Sequence, residues 1–260
     1  MNVLDRFRLD GKRLFISGGS RGLGRAMALA IAEAGANVVL SARDAESLEA
    51  TAAEIRRLGR TAEILVADFA DTASCTAACE RAVKDHGPID ILINNVGGRR
   101  FNLPTAQLPL DKWEEILNLN LTSTFLATRI VGGAMLAAGR GGRIINIASM
   151  SGMIVNRGIG GRGYETAKAA VIHFTKATAA DWAPHGITAN SICPGFFMTA
   201  PNVRWSQEHP ELFQLYREQI PTGDFGKAED LGPLAVYLAS DAARYVTGAT
   251  FVIDGGYTLW

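Results

Sequence analysis

Seven short apolar runs alternate along this chain with segments carrying apolar residues at helical spacing. The runs are Arg13–Ser17, Asn37–Ser41, Glu63–Ala67, Ile89–Ile93, Arg143–Ala148, Ile187–Ile192 and Ala249–Ile253, each bounded by glycine, proline or polar turn residues. Strands joined by a helix-length crossover pair in parallel, and a parallel sheet is covered on both faces. The pattern predicts an α/β fold: a doubly wound, seven-stranded parallel sheet with helices on both faces. No linker-like composition shift or internal repeat divides the 260 residues, so a single domain over 1–260 is expected.

The helices are expected in the intervals. One runs through Ala26–Ala32 and stops at Gly35; another spans Ala45–Leu58, with Leu48, Ala52, Ile55 and Leu58 on one face. A third covers about Thr72–His86. A long one runs from Asp111, with Glu114 at capping-box spacing, through Ile130. The next starts near Tyr164, and the tail holds a helical patch at Glu211–Gln219 and a helix at Glu229–Ala239.

Charge argues about partners. Lys+Arg and Asp+Glu balance at 26 each, without the basic excess usual for nucleic-acid or membrane-surface binding. The start of the chain has no apolar signal core and no run approaches membrane-spanning length, so a cytoplasmic protein without a membrane partner is expected. Cys75, Cys79 and Cys193 make no disulfide framework. No His or carboxylate cluster completes a metal site around the first two. They read as buried small side chains, with no metal.

Gly18-Gly19-Ser20-Arg21-Gly22-Leu23-Gly24 follows the first strand and opens the first helix. Glycines let backbone amides approach a pyrophosphate closely, and a helix N-terminus favours its negative charge. The end of the second strand selects the cofactor, because a carboxylate there binds a ribose diol and repels a 2′-phosphate. This chain has Ser41-Ala42-Arg43 with no carboxylate before Asp44. Arg43 and Arg21 suit a 2′-phosphate, which favours NADP(H) over NAD(H). The alternative is that both arginines are solvated helix-end residues.

Tyr164 and Lys168 stand four apart in a helix, on one face. An ammonium there can pull a phenol below its free value of about 10, and a shift to about 7 takes roughly 4 kcal/mol. Ser149, at the end of the fifth run, supplies a hydroxyl beside them. Such a trio can hand a proton to a carbonyl oxygen.

In order along the chain, these motifs resemble the short-chain dehydrogenase/reductase family over essentially its whole length. The texture is most similar to gluconate 5-dehydrogenases and 3-oxoacyl-carrier-protein reductases. The resemblance implies a Rossmann-type fold. It makes Gly18, Ser20, Arg21, Gly22, Leu23 and Gly24 cofactor contacts, with Ser17 where Thr is usual. Asp68, with Phe69 beside it, matches the acid that meets the adenine ring. Asn94-Asn95-Val96-Gly97 resembles the Asn-Asn-Ala-Gly stretch that steadies the central sheet, and puts Asn95, Val96 and Gly97 at the cofactor. Asn120 matches the family's catalytic Asn, which anchors a water relay through Lys168; Ser149, Tyr164 and Lys168 match its Ser and its Y-x-x-x-K pair. Pro194-Gly195-Phe196-Phe197-Met198-Thr199 resembles the loop holding the nicotinamide carboxamide, which implicates Pro194, Gly195, Phe197 and Thr199. Asp254-Gly255-Gly256 matches the C-terminal signature.

The resemblance implies reversible interconversion of a ketone and a secondary alcohol by hydride transfer, with Tyr164 as acid or base, in a homotetramer. The competing reading is a catalytically retired nucleotide-binding sensor or scaffold; retention of Ser149, Tyr164, Lys168 and Asn120 argues against it. Two stretches depart from the family's average. Gly97-Gly98-Arg99-Arg100 carries adjacent arginines, and the glycine-heavy loop Met153–Gly163 carries Arg157 and Arg162. Arg99, Arg100 and Arg157 suit a substrate with a carboxylate, phosphate or acyl-carrier arm. Solvated loop arginines or contacts to a neighbouring subunit are equally expected. A substrate lid is expected around 196–220, where Phe196, Phe197, Trp205, Phe213, Leu215 and Tyr216 wall a pocket or pack the lid down.

Overall fold

A computed structural model describes residues 2–156 and 158–259. Seven strands form one parallel sheet in the order β3-β2-β1-β4-β5-β6-β7. They are β1 Arg13–Ser17, β2 Asn37–Ala42, β3 Ala62–Val66, β4 Ile91–Asn94, β5 Gly142–Ile147, β6 Ile187–Pro194 and β7 Thr250–Ile253. The expected runs are all present, with ends shifted by one or two residues. Inner strands are buried almost throughout: all four residues of β4 and all eight of β6 are buried. Both faces are covered, so alternation has no advantage there. Edge strand β3 is less covered: Ala62 and Leu65 are buried, but Glu63 and Val66 are exposed.

On one face lie α1 (Gly22–Glu33), α2 (Ala45–Arg57) and α8 (Gly232–Ala239); they bury Met27, Ile31, Leu48, Ile55, Ala235 and Leu238. On the other lie α3 (Thr72–Asp85), α4 (Leu110–Ala138) and α5 (Arg162–Trp182), contributing Cys75, Cys79, Leu126, Val131, Met135 and Ala179 to a second core. Cys75 and Cys79 are fully buried free thiols, as their Ala-rich surroundings predict. Leu58 departs from the predicted apolar face. It caps α2 and is exposed, because the helix has already turned away from the sheet.

Three local expectations are corrected. Helix α4 is capped by Pro109 with no side-chain hydrogen bond, so Asp111 and Glu114 form no capping box. At 29 residues, with an 18-residue window of mean hydropathy 1.3, α4 is by length and composition alone long and apolar enough to cross a membrane, where the sequence showed no such run. Here its apolar face packs on the sheet. Third, the tail holds two helices, α6 (Ala200–Glu208) and α7 (Pro210–Glu218), where the sequence predicted only the second. Pro201 and Pro210 suit the first turns of these helices, where an N–H has no helical partner.

Helix α4 contains two wide turns, Asn118–Thr122 and Thr128–Gly132, with π-type spacing. Such turns often accompany functional sites. The first presents Asn120, which is fully buried. At the end of the second, α4 meets α5: a Cβ on Gly132 would lie 2.4 Å from the Trp182 ring and 3.2 Å from Ile144. Adjacent Gly133 has no atom within 4 Å of the same position. We expect Gly132→Val to lower unfolding free energy by about 1–3 kcal/mol through overpacking. Gly133→Ala should raise it by about 0.5–1 kcal/mol through helix propensity. Denaturant titration of the two variants reads these opposite signs.

Candidate active site

The strand order reverses between β1 and β4, and a crevice opens there at the carboxyl ends of the strands. Two adjoining cavities of about 560 and 270 Å³ occupy it and share Arg21, Asn95 and Gly97. Their floor is the glycine loop. A Cβ on Gly24 would lie 2.1 Å from the Gly18 carbonyl oxygen, so only glycine lets α1 start this close to β1. Arg21, before the first turn of α1, makes no side-chain cap. The first N–H groups of the helix therefore keep their character as anion donors.

Asn95 fixes this loop to the neighbouring strand. Its Nδ2 donates to the Ser17 and Gly18 carbonyls, each at 3.1 Å. The Ser17 hydroxyl accepts from the Asn95 and Val96 N–H groups at 3.1 and 3.2 Å. Serine in place of the usual threonine keeps the one group this knot requires, the Oγ.

The larger cavity is lined by Gly18, Ser20, Arg21, Arg43, Asp68, Phe69, Asn95, Val96 and Gly97. Asp44 also borders it, but its carboxylate accepts from the Ser47 N–H at 2.6 Å and caps α2. Those hydrogen bonds hold its pKa below the usual carboxylate value. Arg43 faces Asp68 across the cavity, at 3.8 Å. Sequence reasoning missed Ser47 and Leu119, which also line the space; nothing in their local pattern marks them.

The smaller cavity gathers Gly22, Leu23, Gly24, Ser149, Tyr164, Lys168, Pro194, Gly195 and Thr199. Ser149 and Lys168 are buried and Tyr164 is partly open to the cleft. The Lys168 Nζ donates to the Ile147 carbonyl at 2.7 Å and lies 5.9 Å from the Tyr164 ring centroid. Burial drives the Lys168 ammonium down to about 8. Burial also raises the Tyr164 phenol, opposed by hydrogen bonding with Ser149 and by the charge of Arg99. Two cations thus flank the phenol, with Arg99 at 4.7 Å from the ring centroid and so nearer than Lys168.

Asn120 clamps the segment beside them. Its Oδ1 accepts from the Gly98 N–H at 2.9 Å, and its Nδ2 donates to the Gly98 and Ile116 carbonyls at 3.1 and 2.9 Å. A Cβ on Gly97 would come within 2.8 Å of both Asn120 Oδ1 and Lys168 Nζ. Gly97 is thus the contact through which the two polar groups approach each other.

The geometry is that of a nucleotide cradle ending at a hydroxyl–phenol–ammonium trio. The comparisons agree with it. The family model described as enoyl-(acyl carrier protein) reductase matches residues 18–258. A galactitol 2-dehydrogenase (L-tagatose-forming) of Cereibacter sphaeroides is 37% identical over 254 residues, 98% of each chain. A short-chain type dehydrogenase/reductase from Mycobacterium marinum superposes with a TM-score of 0.92 at 39% identity over 99% of each chain. The chain belongs to the short-chain dehydrogenase/reductase family. A gluconate 5-dehydrogenase from Burkholderia cenocepacia, solved with NADP and tartrate, superposes with a TM-score of 0.91 at 37% identity over all of both chains. This bears out the likeness to that branch of the family.

The remaining predicted site residues separate. The Phe197 side chain is buried in the core, against Gly226, and lines neither cavity of the crevice. A bulky apolar ring gains more from that packing than from the polar cleft, which leaves only its main chain for a ligand. Arg99 and Arg100 point to different places. Arg99 lies 4.7 Å from the Tyr164 ring centroid, and Arg100 borders the larger cavity. Arg157 lies outside the described residues. The aromatics of 196–220 largely pack on one another: Phe196 stacks on Tyr216 at 4.8 Å and Trp205 meets Phe213 edge-on at 5.2 Å. Leu215 is exposed.

The burial of Lys168 has a stability signature. Its pKa of about 8 lies below the ordinary 10.5, so below pH 8 the fold carries the cost of a buried ammonium, about 3 kcal/mol. Between pH 8 and 10.5 the folded protein has shed a proton that the unfolded chain still holds, and the cost fades. We expect Lys168→Met to melt at a higher temperature than the parent at pH 7, despite losing a hydrogen bond worth about 2 kcal/mol. The gap should shrink as the pH rises through that window, and melting curves at pH 7, 8.5 and 10 check it.

Proposed function

We propose that this protein is an NADP(H)-dependent oxidoreductase that reversibly converts a secondary alcohol to a ketone, with Tyr164 as the acid or base. The observation that carries this reading is the smaller cavity: Ser149, Tyr164 and Lys168 share its wall with Gly22–Gly24 and Thr199. The cradle fits the cofactor, because no side chain fits at Gly24 and the start of α1 is uncapped. Gly18–Gly24 would hold its pyrophosphate, Asp68 and Phe69 its adenosine, and Gly195 and Thr199 its nicotinamide. When bound, NADP(H) supplies or accepts the hydride at the substrate carbon.

The chain's own groups manage the oxygen and its proton. Ser149 orients the substrate oxygen, and Tyr164 gives its proton to the carbonyl or, as phenolate, takes the proton of the alcohol. Lys168 is the cation one turn away and, with Asn120 beyond Gly97, is positioned to return the proton toward solvent. A retired sensor has no need of this arrangement.

The preference for NADP(H) rests on Arg21 and Arg43 at the cavity that Asp44 leaves to them by capping α2. The substrate is proposed to be a polyol or sugar acid, the class named for the galactitol and gluconate relatives. Arg100, which borders the larger cavity, is its candidate anion contact, and the neighbour solved with tartrate supports an anionic group. Residues 196–220 are proposed as the substrate lid of a single domain, because their aromatic cluster includes Met150, next to Ser149. A cytoplasmic homotetramer is proposed, supported by Phe125, exposed on α4 and meeting Phe174 of α5 at 6.2 Å.

Two substitutions test the reading. Tyr164→Phe should remove nearly all turnover while NADPH still binds, as followed by nucleotide fluorescence; more than a tenth of the activity remaining would defeat the assignment. Arg43→Ala should raise the KM for NADPH at least tenfold, about 1.4 kcal/mol, and leave that for NADH nearly unchanged. An equal rise for both would remove the case for 2′-phosphate recognition.

A further inference from the structure

The arginine beside Tyr164 is built into the fold. Arg99 follows β4, and its side chain is only 18% exposed. Its guanidinium stacks 4.7 Å from the Tyr164 ring centroid. One terminal nitrogen donates to the Gly160 carbonyl and reaches the Gly161 carbonyl at 3.5 Å. The other donates to the Ser151 hydroxyl at 3.2 Å and lies 3.8 Å from the Glu165 carboxylate.

The glycine-heavy loop is shaped around this group. Gly161 has φ +90°, and a Cβ there would lie 2.9 Å from the Arg99 terminal nitrogen and 2.8 Å from Asn102 Oδ1. The partners of Arg99 are themselves tied down. Ser151 Oγ accepts from Asn156 Nδ2 at 2.8 Å, and the Ser151 N–H donates to the Ser149 Oγ at 3.1 Å. Glu165 is buried; its carboxylate accepts from Arg162 at 2.8 and 2.9 Å and from Asn156 at 3.0 and 3.1 Å.

We infer that Arg99 is a positioning residue for Tyr164: clamped by the 158–161 loop and Ser151, its fixed positive charge favours the tyrosinate and sets the pH range in which the alcohol is deprotonated. The inference rests on Tyr164 being the acid or base. The other groups around the phenol differ in charge and distance. Lys168, on the same helix, is a second cation, held to the Ile147 carbonyl and 5.9 Å from the ring centroid. Cys193, from β6, is a thiol pushed up to about 11 by burial and carries no charge near neutrality. Ser149, from the end of β5, is neutral. Tyr216, from α7, feels the charge of Arg99 in turn. Glu165 and Arg162 form a pair beside Arg99, and the Glu165 charge opposes that of Arg99. Burial disfavours the Arg99 cation, while Tyr164 and Glu165 favour it.

These opposed charges yield a test with two opposite signs. The ionisation of Tyr164 is read as the ultraviolet tyrosinate signal that disappears on Tyr164→Phe, in the full-length protein with excess NADP⁺. Each variant is compared with its own Tyr164→Phe partner. Arg99→Met should raise the midpoint by about one pH unit. Arg99→Lys should keep it within a few tenths of a unit, and Glu165→Gln should lower it. A structural role for Arg99 alone would not move the midpoint in opposite directions at the two sites.

An unchanged midpoint in Arg99→Met overturns the inference. If that variant does not fold, Glu165→Gln decides: a midpoint that stays or rises overturns it. The titration needs no turnover, so its failure is separate from that of the functional reading. That reading fails when Tyr164→Phe keeps its activity.

Discussion

Everything in the crevice depends on the knot between Ser17 and Asn95. Where β1 and β4 end side by side, one hydroxyl accepts two N–H groups, and one amide donates to two carbonyls of the opposite segment. At this point the sheet reverses its strand order and the chain leaves on both sides, so main-chain groups lose their ladder partners. Buried main-chain groups without partners are costly, and the knot supplies those partners from two side chains. It also sets the distance between the glycine loop and Val96–Gly97, and hence the width of both cavities.

A second constraint is the buried polar chain across the sheet. Thr128, Asn94, Asn146 and Thr175 are linked by bonds of 3.1, 2.9 and 2.9 Å. These residues register α4, β4, β5 and α5 against each other, where an apolar core would tolerate small slips. Asn120 on α4 and Lys168 on α5 then come to the same glycine, Gly97. The wide turn of α4 contributes by turning Asn120 inward, where its amide takes the Ile116 carbonyl.

Electrostatics at the site are governed by removal from water. Desolvation lowers the Lys168 ammonium and raises the Tyr164 phenol, so each is pushed toward its neutral form. A site that is to move a proton near neutral pH needs the phenolate within reach, and a charge fixed at short range in a dry setting is an effective way to provide it. Arg99 occupies that position. The Ser149–Ser151 hydrogen bond ties the hydroxyl of the trio to the network that holds Arg99.

Much of this was legible in the chain itself. Strand and helix alternation, the glycine loop before α1 and the four-residue spacing of Tyr164 and Lys168 depend on neighbours a few residues apart, and local sterics and periodicity express them directly. The same holds for the absence of a carboxylate at the end of β2, before Asp44. What the residues did not disclose are encounters over long separations. Arg99 meets a tyrosine 65 positions later and a loop carbonyl 61 positions later, and no local pattern distinguishes it from Arg100, which borders the other cavity. Phe197 turned into the core for a similar reason: which face of a loop is buried depends on what packs against it. The sequence by itself determined the elements and the chemistry they carry. Only the tertiary structure decided which charge acts on which group, because desolvation and short-range charge exist only once distant segments exclude water together.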